Sequence, residues 1–503
     1  MPAMSPADQA ETVTFLSRGR AYGMPRATIE RRDTHISFVF LVGERAFKLK
    51  RAVRFSYLDF STVALRHTNC EAEFRLGRAM APSLYRGLRK VTRGADGMLA
   101  LDGSGEAVDW LVEMRRFDEN ALFDRMATDG RLTPELIRDL ADAIAAFHAA
   151  AQPVPRSGTP AAIHTVIADI IANLRRAAVF AETAVTALAA WFEVEFAARS
   201  AAIERRNREQ RVRRCHGDLH LRNICLLDGR PTLFDPIEFS DAIASIDVLY
   251  DLAFLLMDLI HRGHGDLAAL VFNRYLDVSG DEGGLGLVPL HLTMRAAIRA
   301  HVTAAAGAVD GARSYFRLAQ DLSRPSSPVL VAVGGVSGTG KTTLAQAMTP
   351  HVGRAPGARI LRSDVIRKRL HGVAPERRLP SSAYDRPTNI RVYETLGREA
   401  AAALRDGQAV IADAAFLRPD ERSAIVAIAR DAGVAFSGFW LDAPEAALMQ
   451  RLAARRGDAS DADIAVLQFQ RTQDHGTIDW RHVDASGTVG SATQAALAAI
   501  RLR

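Results

Sequence analysis

The run Gly335-Val336-Ser337-Gly338-Thr339-Gly340-Lys341-Thr342-Thr343 spaces two glycines, a lysine and a hydroxyl as G-x-x-x-x-G-K-T. It follows the apolar, β-forming residues 329–333 and leads into the helix-forming residues 343–348. In that setting the glycines let backbone N–H groups turn toward a phosphate, and the helix N-terminus adds a favourable field. Lys341 then reaches the outer phosphates, and Thr342 offers its hydroxyl to magnesium. A glycine-rich turn with a solvated lysine is the bland alternative, and the flanking elements speak against it. Asp364, just past the apolar strand ending at Leu361, can accept a proton from an attacking hydroxyl; alternatively it caps a helix over 365–370. Asp413 ends the strand 409–412 and can hold magnesium through water. Arg451, Arg455 and Arg456 follow the strand 439–441 at helical spacing, either as a lid over transferring phosphate or as a solvated basic face.

A second constellation lies in the first half. Cys215-His216-Gly217-Asp218-Leu219-His220-Leu221-Arg222-Asn223-Ile224 places Asn five positions after Asp, the H-x-D-x-x-x-x-N spacing of a kinase catalytic loop. Asp218 would orient a hydroxyl and take its proton, and Asn223 would bind magnesium. Asp235, in Leu233-Phe234-Asp235-Pro236-Ile237-Glu238, stands at a strand end where it can hold metal, with Glu238 assisting. His216 and His220 lack a third metal-ligating partner, so packing and hydrogen bonding suit them better than metal ligation. Asp247 and Asp251, spaced i,i+4, are expected to anchor the loop.

These residues need elements to hold them. Residues 35–51 read as two strands around a tight turn at Gly43-Glu44, followed by a helix over 61–80 and a second strand pair within 88–116. Residues 134–151 and 161–214 are rich in strong helix formers. The apolar run 246–260 carries Asp247, Asp251 and Asp258 and is too short to cross a bilayer, so it reads as a buried helix. At Ser323-Arg324-Pro325-Ser326-Ser327-Pro328 the texture changes to that of a linker. Beyond it, strands at 329–333, 409–412 and 436–441 alternate with helices, the rhythm of a parallel sheet. The sequence thus predicts two domains, an α+β domain over 1–322 and an α/β domain over 329–503, joined by 323–328 and each able to fold alone.

The 503 residues carry 64 basic and 58 acidic side chains, a surplus that anionic small ligands explain as well as nucleic acid does. The arginine-rich stretch 199–214 is interrupted by Glu204 and Glu209 and has no interleaved aromatic residue, which predicts a solvated helix face. Cys70, Cys215 and Cys225 form no C-x-x-C pair; this argues against a disulfide framework or zinc site and fits a reducing cytoplasm. Residues 1–12 lack the pattern of a secretory signal.

On its catalytic-loop and metal-segment motifs, the region from about residue 20 to 320 resembles the aminoglycoside phosphotransferase group of the protein-kinase-like fold, in which H-G-D stands where protein kinases have H-R-D. The resemblance implies ATP and Mg2+ as cofactors. It also implies that Lys48, in Ala46-Phe47-Lys48, contacts the α/β-phosphates, with Lys50 on the same strand face as the fallback. Glu73 is its ion-pair partner, with Glu71 as the alternative. This sequence departs from the protein-kinase pattern in Gly217, in Pro236 at the place of the Phe of D-F-G, and in having no A-P-E segment, so activation by phosphorylation is not expected. No G-x-G-x-x-G precedes Lys48, and residues 33–37 would have to cover the phosphates with backbone and hydroxyl donors.

Residues 329–503 resemble the small P-loop kinases of the gluconate kinase, polynucleotide kinase and zeta-toxin type, which share a strand-end Ser-Asp-x-x-Arg element, here Ser363, Asp364 and Arg367, and an arginine lid, here with Arg455 as the catalytic candidate. Those relatives transfer the γ-phosphate of ATP to a hydroxyl. The expectation is therefore a cytoplasmic, Mg2+- and ATP-dependent phosphotransferase with two nucleotide sites, acting on small hydroxylated molecules and independent of membranes. Two alternatives are a polynucleotide 5′-hydroxyl kinase in the second half and a regulatory ATPase whose first half is a pseudokinase sensor. Nucleic acid is the less favoured partner, and no sequence feature indicates an oligomeric state.

Overall fold

The computed structural model describes residues 9–55, 58–454 and 458–501. By internal contacts the chain divides into two compact units, Met1–Gly158 with Asn207–Leu255, and Thr159–Arg206 with Leu256–Arg503. The division does not fall at the 323–328 linker, because the helices that precede the linker pack in the same unit as the sheet that follows it.

The first unit begins with a short helix, Ala10–Leu16, and then holds β1 (Glu30–Asp33), β2 (Ser37–Val42), β3 (Arg45–Lys50), β4 (Arg54–Phe55), β5 (Leu58–Asp59), β6 (Tyr85–Arg93), β7 (Leu99–Leu101) and β8 (Glu106–Arg115), with a second helix between β5 and β6. Six of them form an antiparallel sheet in the order β1-β2-β3-β8-β6-β7. The β2–β3 hairpin turns at Gly43-Glu44 as the sequence predicts, whereas residues 88–116 hold parts of three strands instead of a pair. The helix Val63–Met80 begins at Thr62, whose hydroxyl accepts from Leu65 N–H at 3.2 Å, and it packs Cys70, Glu73 and Gly77 inward against β6 and β8. Further along, β9 (Val212–Arg214), β10 (Ile224–Leu227), β11 (Arg230–Leu233) and β12 (Ser245–Asp247) form two small antiparallel pairs, β10 with β11 and β9 with β12. Residues 212–214 are thus strand and not the predicted helix. Their partner, residues 245–247, lies too far along the chain for local propensity to reveal.

In the second unit, β13 (Val329–Gly334), β14 (Arg359–Arg362), β15 (Val410–Asp413), β16 (Ala435–Asp442) and β17 (Arg481–Asp484) form an all-parallel sheet in the order β14-β15-β13-β16-β17. Leu330 to Val333 are fully buried, as expected of a central strand covered on both faces. β17 escapes prediction because its sequence, Arg-His-Val-Asp, buries only Val483. The other edge strand, β14, is closed by the helix Gly265–Ser279: Asn273 accepts from Ile360 N–H at 2.8 Å and donates to Ala358 C=O at 3.0 Å, much as a neighbouring strand would.

Arg359, on that edge strand, is buried and pairs with Asp277 at 2.8 Å and Glu282 at 2.7 Å. Burial works against its charge, and the two carboxylates more than compensate. Glu282→Ala strands part of this charge and is expected to destabilise the second unit by on the order of 3 kcal/mol, measured by urea unfolding of the full chain. The same contacts bear on independent folding, since residues 329–503 cut free at Ser326 would keep Arg359 without Asn273, Asp277 and Glu282. The predicted solvated face at 199–214 also needs correction. Arg206 is fully buried in a two-pronged pair with Asp281, and Arg213 donates to the carbonyls of His148, Ala149 and Ala151. Among the described residues, no helix is long and apolar enough to cross a membrane.

Candidate active sites

In the first unit, β3 carries Lys48 and Lys50 on one face. Lys48 Nζ donates to Glu73 Oε1 at 2.9 Å and pairs with Asp235, while Lys50 Nζ donates to Glu73 Oε2 at 2.6 Å and pairs with Glu238. Glu71 lies away from this cluster, beside His67 at 3.3 Å. Burial acts to raise the Glu73 pKa, but Lys48 and Lys50 outweigh it and hold the carboxyl at about 2. Burial likewise works against the Lys48 charge, which Asp235, Glu73 and Glu238 restore. Because the folded-state Glu73 pKa lies below its ordinary 4.5, the stabilisation is complete above that pH and disappears as pH falls through about 2. Acid titration of the full chain should therefore show stability falling across this window, and less steeply in Glu73→Gln.

Asp218 and Asn223 stand together: Asn223 Nδ2 donates to Asp218 Oδ2 at 2.9 Å and to its carbonyl at 3.0 Å. The loop that holds them is fixed from behind by the buried Asp251, which accepts from His216 N–H at 3.1 Å and Gly217 N–H at 2.9 Å. Gly217 has φ +84° and packs where a Cβ would press on Ile237 and Ala244, so a side chain there would strain the loop. His216 Nε2 meets Phe234 C=O at 2.9 Å and its Nδ1 accepts from Asp218 N–H at 3.3 Å. Burial pushes the pKa of this ring down, and its two contacts tie the loop to the segment bearing Asp235. His220 Nε2 lies 3.3 Å from Asp218 Oδ2 and its Nδ1 accepts from Arg222 N–H. Asp247 accepts from Leu249 N–H at 2.8 Å.

The turn at 33–37 behaves differently from expectation. Thr34 Oγ1 accepts from Ile36 and Ser37 N–H, and Thr34 N–H donates to Ser37 C=O, so these donors close the turn on itself. Tyr85 was not foreseen; its hydroxyl accepts from Asp235 N–H at 3.0 Å and supports a backbone at φ +60°.

In the second unit the site stands at the C-terminal ends of β13, β14 and β15, where open parallel sheets bind ligands. Gly338 has φ +87° and a Cβ there would lie 2.9 Å from Leu448 C=O, so glycine is required for the loop's path. Thr342 Oγ1 donates to Asp413 Oδ2 at 2.6 Å, which brings the loop hydroxyl and the β15 acid together. Both offer hard oxygen donors that suit Mg2+, as do Asn223 and Asp235 in the first unit. Lys341 Nζ donates to Val336 C=O at 3.0 Å. Ser337 N–H, a backbone donor of the glycine-rich loop, is bonded to Gln470 Oε1 at 2.7 Å. Thr339 Oγ1 donates to Val336 C=O at 2.8 Å. Gly335, Gly340 and Thr343 lie in or beside the same loop.

Asp364 sits in the first turn of the helix Ser363–Leu370, whose N-cap is Arg362, so Asp364 is not the cap. It lies two residues after Arg362, the last residue of β14, and its charge acts on Arg362, Asp413 and Tyr384. Arg367 is held by Ala383 C=O and Asn389 Oδ1 and lies over the Tyr384 ring. Arg451 is no free lid residue: it donates to Thr339 C=O at 3.4 Å and Ala485 C=O at 2.7 Å. Arg455 and Arg456 lie outside the described residues. Arg362 was overlooked in the sequence although it immediately precedes Ser363-Asp364; Asp458 and Gln470 left no comparable local signal.

Comparison with known proteins adds the following. Residues 64–287 match the phosphotransferase enzyme family and residues 330–474 match an AAA domain family. Proteins of Mycobacterium bovis and Mycobacterium tuberculosis, both described as uncharacterized, are 30% identical over 477 residues, covering 91% of this chain and 93% of theirs. Among solved structures, a choline kinase from Cryptosporidium parvum is 10% identical with a TM-score of 0.43, covering 63% of this chain and 95% of its own. A gluconokinase from Sinorhizobium meliloti is 21% identical with a TM-score of 0.26, covering 35% and 95%.

Proposed function

Because the chain belongs to the family of the mycobacterial proteins that it matches over 91% of its length, with a phosphotransferase-family segment ahead of a P-loop segment, we propose that it is an ATP- and Mg2+-dependent phosphotransferase with two nucleotide sites, each passing a γ-phosphate to a hydroxyl of a small molecule. The observation that carries this reading is a repeated arrangement: a carboxylate beside a cluster suited to a metal–nucleotide. In the first unit the acid is Asp218 and the cluster is Asn223, Asp235 and Lys48. In the second the acid is Asp364 and the cluster is Thr342, Asp413 and Lys341.

In each site the lysine offers charge to the phosphates and the acid positions the acceptor and takes its proton. Magnesium, when bound, would neutralise the phosphate oxygens. Residues 1–322 and 329–503 are the two functional modules in this reading, and the cytoplasm is their compartment. The test is transfer of label from γ-labelled ATP by the full chain to a panel of sugars, amino alcohols and 5′-hydroxyl oligonucleotides. Label appearing in small hydroxylated molecules supports the reading; label confined to oligonucleotides favours the polynucleotide alternative, and free phosphate alone favours the regulatory ATPase.

A further inference from the structure

Arg362, the last residue of β14, has its side chain almost wholly enclosed in the P-loop site. Its Nη2 donates to Asp458 Oδ1 at 2.6 Å and to Thr342 Oγ1 at 3.3 Å, and its Nε lies 3.5 Å from Asp413 Oδ2. A guanidinium has five N–H donors. Both donors of Nη2 are used here; Nε is buried with no hydrogen-bond partner, and Nη1 makes no bond among the described residues. A residue serving only as an ion-pair staple would have little reason to leave three donors unused beside the loop hydroxyl and within the field of Asp364. The charge is also secure, because Asp413 and Asp458 outweigh the cost of burial.

Resting on the phosphotransferase reading of this site, we propose that Arg362 is a catalytic residue that donates from Nη1 to the phosphoryl group in transfer. The bond from the γ-phosphorus to the β–γ bridging oxygen breaks and ADP leaves with that electron pair. The acceptor oxygen bonds to phosphorus, and its proton passes to Asp364. Arg362 neither gains nor loses a proton; it stabilises charge on the equatorial oxygens, which is where such a transition state carries it. The donor comes from a strand end, two residues before the acceptor-orienting acid, so it is fixed by the sheet itself and needs no closing segment.

The test uses the full chain carrying Asp235→Asn, to silence the first site, and measures calorimetric binding of Mg–ADP with and without tetrafluoroaluminate, a mimic of the phosphoryl in transfer. The parent is expected to bind the ADP–fluoride complex roughly 100-fold tighter than ADP. Arg362→Gln should keep ADP affinity within about threefold while losing at least about tenfold of that tightening. Arg362→Lys, which keeps the charge but not the fork, should fall between and decides the matter if the Gln variant fails to fold. Full tightening in the variants, or equal loss of ADP affinity, would overturn the proposal and leave Arg362 a staple. No tightening in the parent would instead count against the phosphotransferase reading of this site, and the proposal would fall with it.

Discussion

Lys341→Ala is expected to lower nucleotide turnover at the P-loop site by roughly 10³-fold, because it removes the positive charge that the loop brings to the outer phosphates in a pocket where little else can replace it. Arg362 is anchored through Nη2 by Asp458 and Thr342, and Arg451 by backbone carbonyls, so neither shifts into the place of the Lys341 ammonium. Asp364→Ala should separate binding from chemistry. Its carboxylate is not the helix cap and makes no hydrogen bond to the loop among the described residues, so ATP affinity should stay within a few-fold while transfer falls about 10²- to 10⁴-fold. Single-turnover transfer and equilibrium binding, measured on the same samples, check both halves of the statement. An Asp364→Ala enzyme that transfers as fast as its parent would remove the general base from the account.

Asp218→Asn carries the second large effect. The variant keeps the shape of the side chain and leaves Asp251 to fix the loop through His216 and Gly217. What it loses is the ability to accept a proton, and transfer at the first site should fall about 10²- to 10⁴-fold with ATP affinity nearly unchanged. Made in a Lys341→Ala background, where the P-loop site is silent, the substitution should remove the remaining transfer. Transfer persisting there at the rate of the Lys341→Ala parent would rule out Asp218 as the base, whereas no transfer in that parent would mean that the first unit binds nucleotide without acting on it, the behaviour of a sensor.

The parts of these sites legible in the sequence are those held by short-range spacing. Asp218, Asn223 and Asp235 lie within one loop and hairpin, and the Gly335–Thr343 segment is a single strand–loop–helix turn, so their types and intervals already state the geometry. The Lys48–Glu73 pair could be named from the resemblance to the kinase-like family, which implies a lysine on the third strand paired with a glutamate of the following helix. Contacts that close over long separations left no such trace. Gln470 reaches Ser337 across 133 positions, and Asp458 reaches Arg362 across 96. The closure of β14 by Asn273 and the burial of Arg206 and Arg359 likewise depend on partners far along the chain. An arginine in a charged helix reads as exposed unless its partner is known, and here Asp281 is 75 residues away.

The central claim is that two separate nucleotide sites operate in one chain. Its most direct measurement is the stoichiometry with which the full chain binds a non-hydrolysable Mg–ATP analogue, determined by titration calorimetry at concentrations well above the dissociation constants. Two molecules per chain are expected, reduced to one by Lys341→Ala and to one by Lys48→Ala. A stoichiometry of one that Lys341→Ala abolishes and Lys48→Ala leaves untouched would contradict it.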